Sequence, residues 1–331
     1  MTDLPHGAAN PMLNDESDSS ANAGHVPVLL REVMELLRPA AGEVVLDCTA
    51  GRGGHAVELI KGLAPQGHYI GLDADPANVA HVQQRLSAMA TDVKVDVLHR
   101  NFAAARQALD ELGIDRVNMV LADLGFASSQ VDDPARGFSF RSEGPLDMRL
   151  DPTRGPTAAD LVNSLPEGEL ADVIYQFGEE RFSRRIAQKI VDRRRVEPIT
   201  TTGQLADLCA AAYGRRRHQS RIDPATRTFQ ALRIAVNDEL NRLMFLLEQL
   251  PDLLSPGGRA LIISFHSLED RMVKHAFRDW AKAGRARLLT KKPLTAGEAE
   301  LAVNPRSRSA KARAIEWGEG TSGTLGTQAL D

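Results

Sequence analysis

The chain has 331 residues and a formal net charge of −4 at neutral pH, with 43% hydrophobic and 25% charged residues. These values are typical of a globular protein that contains one large domain or two intertwined ones. No apolar stretch approaches the roughly 20 residues that cross a bilayer, and the net negative charge disfavours a general nucleic-acid coat.

The two ends of the chain predict little regular structure. Residues 1–24 are polar, without the basic and apolar regions of a signal peptide, and predict a disordered lead. Residues 318–331 are rich in Gly and Thr and predict a flexible tail. The two cysteines, Cys48 and Cys209, provide neither a disulfide framework nor a metal cluster, which favours a cytoplasmic location.

Helix and strand signals alternate through the first part of the chain. The predicted elements are, in order, a helix over Pro27–Leu37, a strand over Val44–Cys48, a helix over Ala56–Leu63, a strand over Tyr69–Asp73, a helix over Asp75–Met89, a strand over Val93–His99, a helix over Ala103–Leu112 and a strand over Val117–Leu124. This alternation predicts an α/β fold whose parallel sheet carries helices on both faces.

The alternation stops after the fourth strand. The next predicted elements are a loop over Ala127–Pro156, helices over Thr157–Leu165, Glu167–Phe177, Glu180–Arg195, Thr202–Ala212 and Phe229–Leu250, a turn at Pro256–Gly258, a strand over Ala260–Phe265, a helix over Leu268–Ala281 and strands over Ala286–Thr290 and Ala312–Trp317. We therefore predict an all-helical domain, residues 138–224, inserted between residues 25–137 and 225–317 of the α/β domain. The last two strands fit an antiparallel hairpin.

A glycine-rich turn between the first strand and its helix predicts a nucleoside cofactor. The stretch Asp47–His55 contains Gly51, Gly53 and Gly54, and the second strand ends in Asp73, placed to accept hydrogen bonds from a ribose. The NAD pattern G-x-G-x-x-G is absent. Carboxylates at Asp47 and Asp123 suit a cationic ligand, so S-adenosylmethionine is favoured over NAD.

Basic residues are concentrated in one part of this acidic chain. Between Arg181 and Arg221 there are eleven Lys or Arg and three acidic residues, an excess of eight positive charges. Such a block indicates either a contact with a polyanion or a solvated helical face. Further basic residues, Arg306, Arg308, Lys311 and Arg313, precede or begin the last strand.

Motifs across the chain resemble those of the RsmH (MraW) family. They are His25–Leu30, Gly51–His55, Asp123–Gly125, Ser128–Asp133, Arg136–Phe140, Gly144–Arg149, Thr228–Arg233 and Ser264–Arg271. The resemblance implies a Rossmann-like class I methyltransferase sheet with an inserted helical substrate-recognition domain. It also implies an S-adenosylmethionine-dependent enzyme that methylates N4 of a cytidine in the decoding centre of 16S ribosomal RNA, within the small ribosomal subunit.

The resemblance also implies the residues of the cofactor site. Carried over by position, the contacts fall on Gly53, Gly54, His55, Asp73, Phe102, Asp123 and Gln130. Phe102 is expected to pack on adenine, and Asp123 and Gln130 to bind the methionine amino group. The chain departs from the family at Phe126-Ala127, where Val-Ser is usual.

The catalytic group is less defined. Orienting and deprotonating an exocyclic amine requires an acceptor, for which Asp123 or neighbouring carbonyl oxygens are candidates. His266, with Glu269 and Asp270, is a second candidate, although His266 could cap the next helix, where Ser267 with Asp270 three residues on also suits a cap.

Other polar and aromatic clusters allow two interpretations each. Asp132, Asp133 and Asp147 resemble a metal site, but turn formation beside Arg136 and Arg149 is favoured, and no metal is predicted. The aromatic side chains of Phe138 and Phe140 could stack a flipped base or anchor a loop.

Two alternatives to an RNA methyltransferase stay open. One is a small-molecule methyltransferase, which would not need the basic insert. The other is a non-catalytic ribosome-assembly factor that retains the fold. Neither DNA nor a membrane is expected as a partner, and the sequence does not define the oligomeric state.

Overall fold

The computed structural model describes residues 27–215 and 222–318, and seven strands in this part of the chain form one sheet. The strands are β1 Val44–Asp47, β2 His68–Asp73, β3 Lys94–His99, β4 Val117–Asp123, β5 Leu254–Ser264, β6 Ala286–Leu288 and β7 Lys311–Trp317. Their order is β3-β2-β1-β4-β5-β7-β6. The first five pair in parallel, and β7 lies antiparallel between β5 and β6. The predicted α/β fold is confirmed.

Helices flank the sheet and fill the interval between β4 and β5. They are α1 Leu30–Leu37, α2 Gly54–Leu63, α3 Pro76–Ser87, α4 Ala105–Glu111, α5 Ser128–Asp132, α6 Ala158–Ser164, α7 Glu167–Gly178, α8 Ser183–Arg194, α9 Thr202–Tyr213, α10 Thr226–Asn237, α11 Glu239–Leu253, α12 Ser267–Lys282 and α13 Glu298–Val303. Short 3₁₀ segments occupy Phe102–Ala104, Pro134–Arg136 and Pro305–Ser309. Among the helices described, none is long and apolar enough to cross a membrane.

Side-chain caps explain where several helices begin. Asp75 accepts a hydrogen bond from the Ala77 amide, and Pro76 occupies the first turn of α3. Thr157 and Thr201 form capping boxes at the starts of α6 and α9. These polar residues satisfy amides that would otherwise lack partners at a helix start.

The structure corrects four details of the predicted elements. The long helix over Phe229–Leu250 is two helices, because Asp238 adopts a left-handed conformation (φ 51°) between α10 and α11. Strand β5 begins at Leu254, so Pro256–Gly258 lies inside it, where its pairing with β4 shifts register. Two short helices, α5 and α13, replace predicted loop.

Three clusters of buried apolar side chains hold the fold together. The two sheet faces carry one each, represented by Leu59 and Leu121 on one face and by Leu109 and Leu250 on the other. The third lies among α6–α10 and draws its buried members from residues 146–232. Helix α10 thus packs with the helices that precede it. The division of the chain at residues 138–224 stays a prediction.

Polar contacts fix the helical cluster against the sheet. Glu179, which follows α7, accepts hydrogen bonds from Ser267 (3.1 Å) and Arg271 (3.3 Å) of α12. Asn237, at the end of α10, accepts one from the Leu150 amide (2.7 Å). Because α12 follows the carboxyl end of β5, these contacts place the helices α6–α10 over that edge of the sheet.

Candidate functional site

The carboxyl ends of β1, β2 and β4 bring three aspartates to one crevice. Strand β1 pairs in parallel with β2 on one side and with β4 on the other. Asp47, Asp73 and Asp123 are the last residues of these strands. Strands β2 and β3 extend the sheet on one side of β1, whereas β4 and β5 extend it on the other. Ligands of open α/β sheets bind where the strand order reverses in this way.

The glycine turn lies above this crevice and requires residues without a side chain. Gly51 and Gly53 have left-handed φ angles of 54° and 76°. A Cβ on Gly53 would lie 2.8 Å from Cγ2 of Val82 in α3. The Gly51 amide donates to Oδ2 of Asp73 (2.8 Å), so the turn is tied to the end of β2. The backbone can therefore approach a ligand closely at this place.

Asp73 is oriented by its neighbours while remaining only partly buried. Its Oδ1 accepts from the Asp75 amide (2.8 Å), and the Asn78 amide group approaches both oxygens at 3.3 and 3.4 Å. Burial raises the pKa of this carboxyl above its ordinary value, and hydrogen bonds oppose that effect. Its position at the crevice suits the predicted ribose contact.

Asp47 has a different position from the one expected of a ligand partner. Its side chain is only 2% exposed and accepts hydrogen bonds from the Tyr69 hydroxyl (2.7 Å) and the Thr49 amide (3.1 Å). Burial raises its pKa to about 6. Asp47 therefore supports the turn from beneath rather than offering its carboxylate to a cationic ligand.

Asp123 provides an unsatisfied oxygen in the crevice. Its Oδ1 is buried without a hydrogen-bond partner among the described residues, and Oδ2 lies 3.9 Å from Nδ1 of His55. Burial raises the pKa of this carboxyl well above its ordinary value, and the negative charges of Asp47 and Glu269 act in the same direction. A cationic ligand would favour its ionised form.

His55 is buried at the start of α2 rather than exposed on the surface. Its Nε2 lies 3.0 Å from the Val28 carbonyl oxygen, so Nε2 carries the hydrogen and donates. The other ring nitrogen, Nδ1, faces Asp123 at 3.9 Å from Oδ2. His55 thereby joins the chain before α1 to the crevice.

Phe102 and Asn101 follow β3. Asn101 was not among the predicted site residues. Phe102 lines a cavity of about 20 Å³ together with Asn101, Leu124 and Gly125. Asn101 caps the 3₁₀ segment through its Oδ1, which accepts from the Ala103 amide (3.0 Å), and the residue also lines the cavity. An Asn two residues after a predicted strand was the available signal.

Gln130 is buried and already engaged. Its Oε1 accepts from the Ala127 amide (2.8 Å), and its Nε2 donates to Oδ2 of Asp75 (2.8 Å). The side chain thus joins the segment after β4 to the turn after β2. Its predicted contact with a methionine amino group stays a prediction.

His266 begins α12 as its N-cap, one residue before the alternative cap at Ser267. Glu269 stands three residues on, and its Oε2 accepts from the amides of Phe265 (2.9 Å) and His266 (3.3 Å). Asp270 instead pairs with Arg313 of β7 (2.7 Å). The His266 side chain is 7% exposed. The catalytic role predicted for it stays a prediction.

An ion-pair network surrounds His266. Its Nε2 lies 3.2 Å from Oε1 of Glu269 and 4.0 Å from Oε2 of Glu239, and Arg233 makes two hydrogen bonds of 2.8 Å to Glu239. Burial raises the pKa of Glu269, but His266 and Arg233 outweigh it and lower the net value. Three ligand atoms here lie within 4.8 Å of one another. We assign them to capping and ion pairing, because Arg233 already neutralises Glu239.

The aromatic residues after β4 separate into two groups. Phe126, 38% exposed, stacks on Phe138 at 5.4 Å and has the Arg233 guanidinium 4.8 Å from its ring centroid. Phe140 packs edge-on against Phe229 at 4.9 Å in the helical cluster. Phe140 therefore anchors its loop, whereas Phe126 and Phe138 lie close to the end of β4.

The acidic residues considered as a metal site are separated. Asp147 binds Arg149 (2.7 Å), Asp133 caps the 3₁₀ segment Pro134–Arg136, and Asp132 pairs with Arg306. The contacts of Asp147 and Asp133 agree with the predicted turn. Arg136 departs from the prediction by pairing with Asp75 instead.

The basic block contains both paired and available cations. Arg193 and Arg195 pair with Glu197 and Asp192, and Arg194 donates to the carbonyl oxygens that end α6. Four other cations on or just before α8 form no ion pair within residues 27–215 and 222–318. They are Arg181, Arg184, Arg185 and Lys189. Arg216, Arg217, His218 and Arg221 lie outside the described residues.

The sheet order defines a Rossmann-like α/β protein with a crevice at the carboxyl ends of its strands. Residues 22–317 match the model of the MraW methylase family. The chain therefore belongs to the MraW methylase family, whose members are methyltransferases.

Curated relatives share about half of their residues with this chain. A protein of Citrifermentans bemidjiense named ribosomal RNA small subunit methyltransferase H is 48% identical over 307 residues. The match covers 88% of this chain and 98% of the relative. Proteins of the same name from Koribacter versatilis and Synechococcus elongatus are 49% and 50% identical, over 91% and 92% of this chain and 98% of each relative.

Solved structures are more distant. An rRNA methylase from Streptococcus thermophilus superposes with a TM-score of 0.40 at 10% identity, covering 88% of this chain and 94% of that one. The N-methyltransferase NodS of Bradyrhizobium japonicum gives 0.40 at 8%, with the same coverage.

The raised pKa of Asp47 predicts a pH-dependent loss of stability. Between pH 4 and 6 the folded protein retains a proton that the unfolded chain has released, so stability falls as pH rises through this window. Asp47→Asn should make that fall shallower without removing the parts due to Asp73 and Asp123, whose pKa values are also raised, and should raise the free energy of unfolding at pH 7 by about 1–2 kcal/mol. Urea unfolding at pH 4.5 and 7 measures both effects.

The control for this measurement is Asp115→Asn, because the Asp115 side chain is 96% exposed. It should reproduce the pH slope of the unmodified protein. If Asp47→Asn has that same slope, the assignment of a raised pKa to Asp47 is wrong.

Proposed function

We propose that the protein transfers a methyl group from S-adenosylmethionine to the N4 amine of a cytidine in the decoding centre of 16S ribosomal RNA, as the family resemblance implies. The main support for this proposal is Oδ1 of Asp123, which is buried beside the glycine turn and has no hydrogen-bond partner among the described residues. The name of the curated relatives supports a ribosomal RNA of the small subunit as substrate. Such a substrate would place the enzyme in the cytoplasm.

The residues of the crevice fit this cofactor. A Cβ on Gly53 or Gly54 would meet Val82 or Pro27 within 3 Å, so glycine is required for the turn to pack against α3 and the segment before α1. We assign the ribose hydroxyls to Asp73, the adenine face to Phe102, and the methionine amino group to Asp123. Gly53, Gly54 and His55 complete the contacts. We assign Gln130 to the support of this site, because its side chain already binds Ala127 and Asp75.

Asp123 also suits the proton transfer that methylation of an amine requires. Bound S-adenosylmethionine supplies the electrophilic methyl group. An exocyclic amine loses a proton when it is methylated, and a carboxylate oxygen within reach of the amine can accept that proton. We therefore propose Asp123, or the carbonyl oxygens that follow it, as the acceptor. His266 acts as a positioning residue that holds Glu269 and the start of α12.

The aromatic pair after β4 supports a nucleobase substrate. Phe126 is partly exposed and follows Asp123 by three residues, and Arg233 and Phe138 hold its ring in place. Aromatic rings on which a base can stack are typical of proteins that take a nucleotide out of its strand. We infer that the target cytidine lies against this pair.

The available cations on α8 support an RNA partner. Arg184 and Arg185 are exposed, and Lys189 lies one turn further along the same helix. Phosphate contacts of this kind position an RNA without reading its sequence. The inserted helices, proposed as residues 138–224, would thus hold the RNA over the crevice.

Methyl transfer to ribosomal particles tests the proposed function. Small subunits from cells that lack the protein are incubated with labelled S-adenosylmethionine, and the modified nucleotide is mapped by nuclease digestion and mass spectrometry. We expect one N4-methylcytidine at the decoding centre. Label in another nucleotide would contradict the proposed target.

The other candidate functions give different results in the same assay. A non-catalytic assembly factor would bind the particles and leave them unlabelled. A small-molecule methyltransferase would label neither particles nor isolated 16S RNA, and would not bind them. Either result would replace the proposal.

Asp123 should control the affinity for S-adenosylmethionine. Its carboxyl must ionise to bind an ammonium group, so affinity should increase with pH between 5 and 8, and binding should release a proton. Asp123→Asn should weaken binding about 10- to 100-fold at pH 8, since hydrogen bonds to charged groups contribute about 1.5–3 kcal/mol. Calorimetry in two buffers of different ionisation enthalpy measures affinity and proton release. Unchanged affinity would refute the assignment.

Two cations of α8 should contribute to RNA affinity. Replacing Arg184 and Lys189 with Ala should weaken binding of 16S RNA about tenfold and lower the slope of log affinity against log salt by about 1–2. The matched control replaces Arg193 and Arg195, which are on or beside the same helix but are already paired. Equal losses in the two double variants would show that the patch has no specific role.

A further inference from the structure

The turn between β2 and α3 contains a buried carboxylate with partners from distant parts of the chain. Asp75 is 1% exposed. Its Oδ1 caps α3 through the Ala77 amide (2.9 Å), and its Oδ2 accepts from Nε2 of Gln130 (2.8 Å) and from Nη1 of Arg136 (2.6 Å). Capping α3 needs only one of these oxygens. The other oxygen binds the segment that follows β4.

On one side, Asp75 contacts the residue assigned to the ribose. The Asp75 amide donates to Oδ1 of Asp73 (2.8 Å), and Oδ2 of Asp73 accepts from Gly51 in the glycine turn (2.8 Å). His99 fixes the same turn by its contact with the Ala74 carbonyl oxygen (2.9 Å). The position of Asp75 is therefore set by the groups that would surround the cofactor ribose.

On the other side, Asp75 orients Arg136, which joins two loop segments. Nη2 of Arg136 donates to the carbonyl oxygens of Arg149 (2.9 Å) and Leu150 (3.0 Å), and the Arg136 carbonyl accepts from the Met148 amide (3.0 Å). The guanidinium also lies 5.8 Å from the ring centroid of Phe138. Asp75 thus supplies the anion that fixes the guanidinium, and the guanidinium provides the side-chain part of the link between the two segments.

These contacts form one continuous chain from the cofactor side to the substrate side of the crevice. It runs from Gly51 through Asp73, Asp75 and Arg136 to the segment that enters the inserted helices. Every link is a hydrogen bond of 3.0 Å or less. A ligand that binds at either end would act on the other end through this chain, so the two sites can influence each other.

We propose that Asp75 is a positioning residue that makes the binding of cofactor and RNA mutually favourable. The proposal rests on the proposed function, because it takes 16S RNA as the second ligand. Coupling between two sites is reciprocal and is about 5- to 150-fold in typical proteins. We expect S-adenosylhomocysteine to tighten RNA binding at least about fivefold, and RNA to tighten S-adenosylhomocysteine binding by the same factor.

The experiment measures the RNA dissociation constant with and without saturating S-adenosylhomocysteine, for the unmodified protein and for Asp75→Asn. The Asn side chain keeps the helix cap but loses the charge that orients Arg136. In Asp75→Asn, the RNA dissociation constants with and without S-adenosylhomocysteine should differ by no more than about twofold, because the coupling is lost. A purely structural role would lower both affinities and leave their ratio unchanged.

Two further variants make the result decisive. Arg136→Gln removes the same ion pair from the other side, so it should abolish the coupling even if Asp75→Asn does not fold. Asp132→Asn removes the exposed pair with Arg306 from the same segment and should leave the ratio unchanged.

The outcomes separate this inference from the proposed function. If the unmodified protein methylates 16S RNA but binds it equally well with and without S-adenosylhomocysteine, the coupling is refuted and the function stands. If coupling is present without methyl transfer, the function fails and the role of Asp75 stands. An unchanged ratio in both Asp75→Asn and Arg136→Gln would also refute the inference.

Discussion

The structure depends on holding several carboxylates close together at one edge of the sheet. Parallel pairing of β1 with both β2 and β4 brings Asp47, Asp73 and Asp123 to the same crevice. Their burial raises the pKa of all three groups, which means that the folded protein bears an electrostatic cost there. A cationic ligand beside an ionised carboxylate of this group would reduce that cost.

The surrounding hydrogen bonds divide the three carboxylates by role. Asp47 is saturated by Tyr69 and Thr49, and Asp73 is fixed by amides while staying partly accessible. Asp123 alone retains an oxygen without a partner in the described chain. A sequence shows three similar aspartates after three similar strands. Only the direction of each side chain shows which one supports the turn and which ones face the crevice.

The sequence predicted the sheet well because alternation of apolar strands and capped helices is local information. It failed where tertiary packing decides. The break at Asp238 separates α10, which packs with the inserted helices, from α11, which packs on the sheet. The hydrogen bond between Gln130 and Asp75, which lies 55 residues away in sequence, was not predicted. Contacts at that distance leave no pattern in the spacing of residues.

Charge counts illustrate the same limit for the basic residues. The block from Arg181 to Arg221 has a large excess of positive charge, yet Arg193, Arg194 and Arg195 are engaged with nearby acids and carbonyl oxygens. Such local pairs contribute little to stability, but they reduce the charge that a phosphate would meet. Among the described residues, fewer cations of the block lack an ion pair than the composition suggests, and most of those lie on or just before the first turns of α8. That end of the helix follows Glu179, whose contacts with α12 place it over the carboxyl end of β5 and so near the crevice.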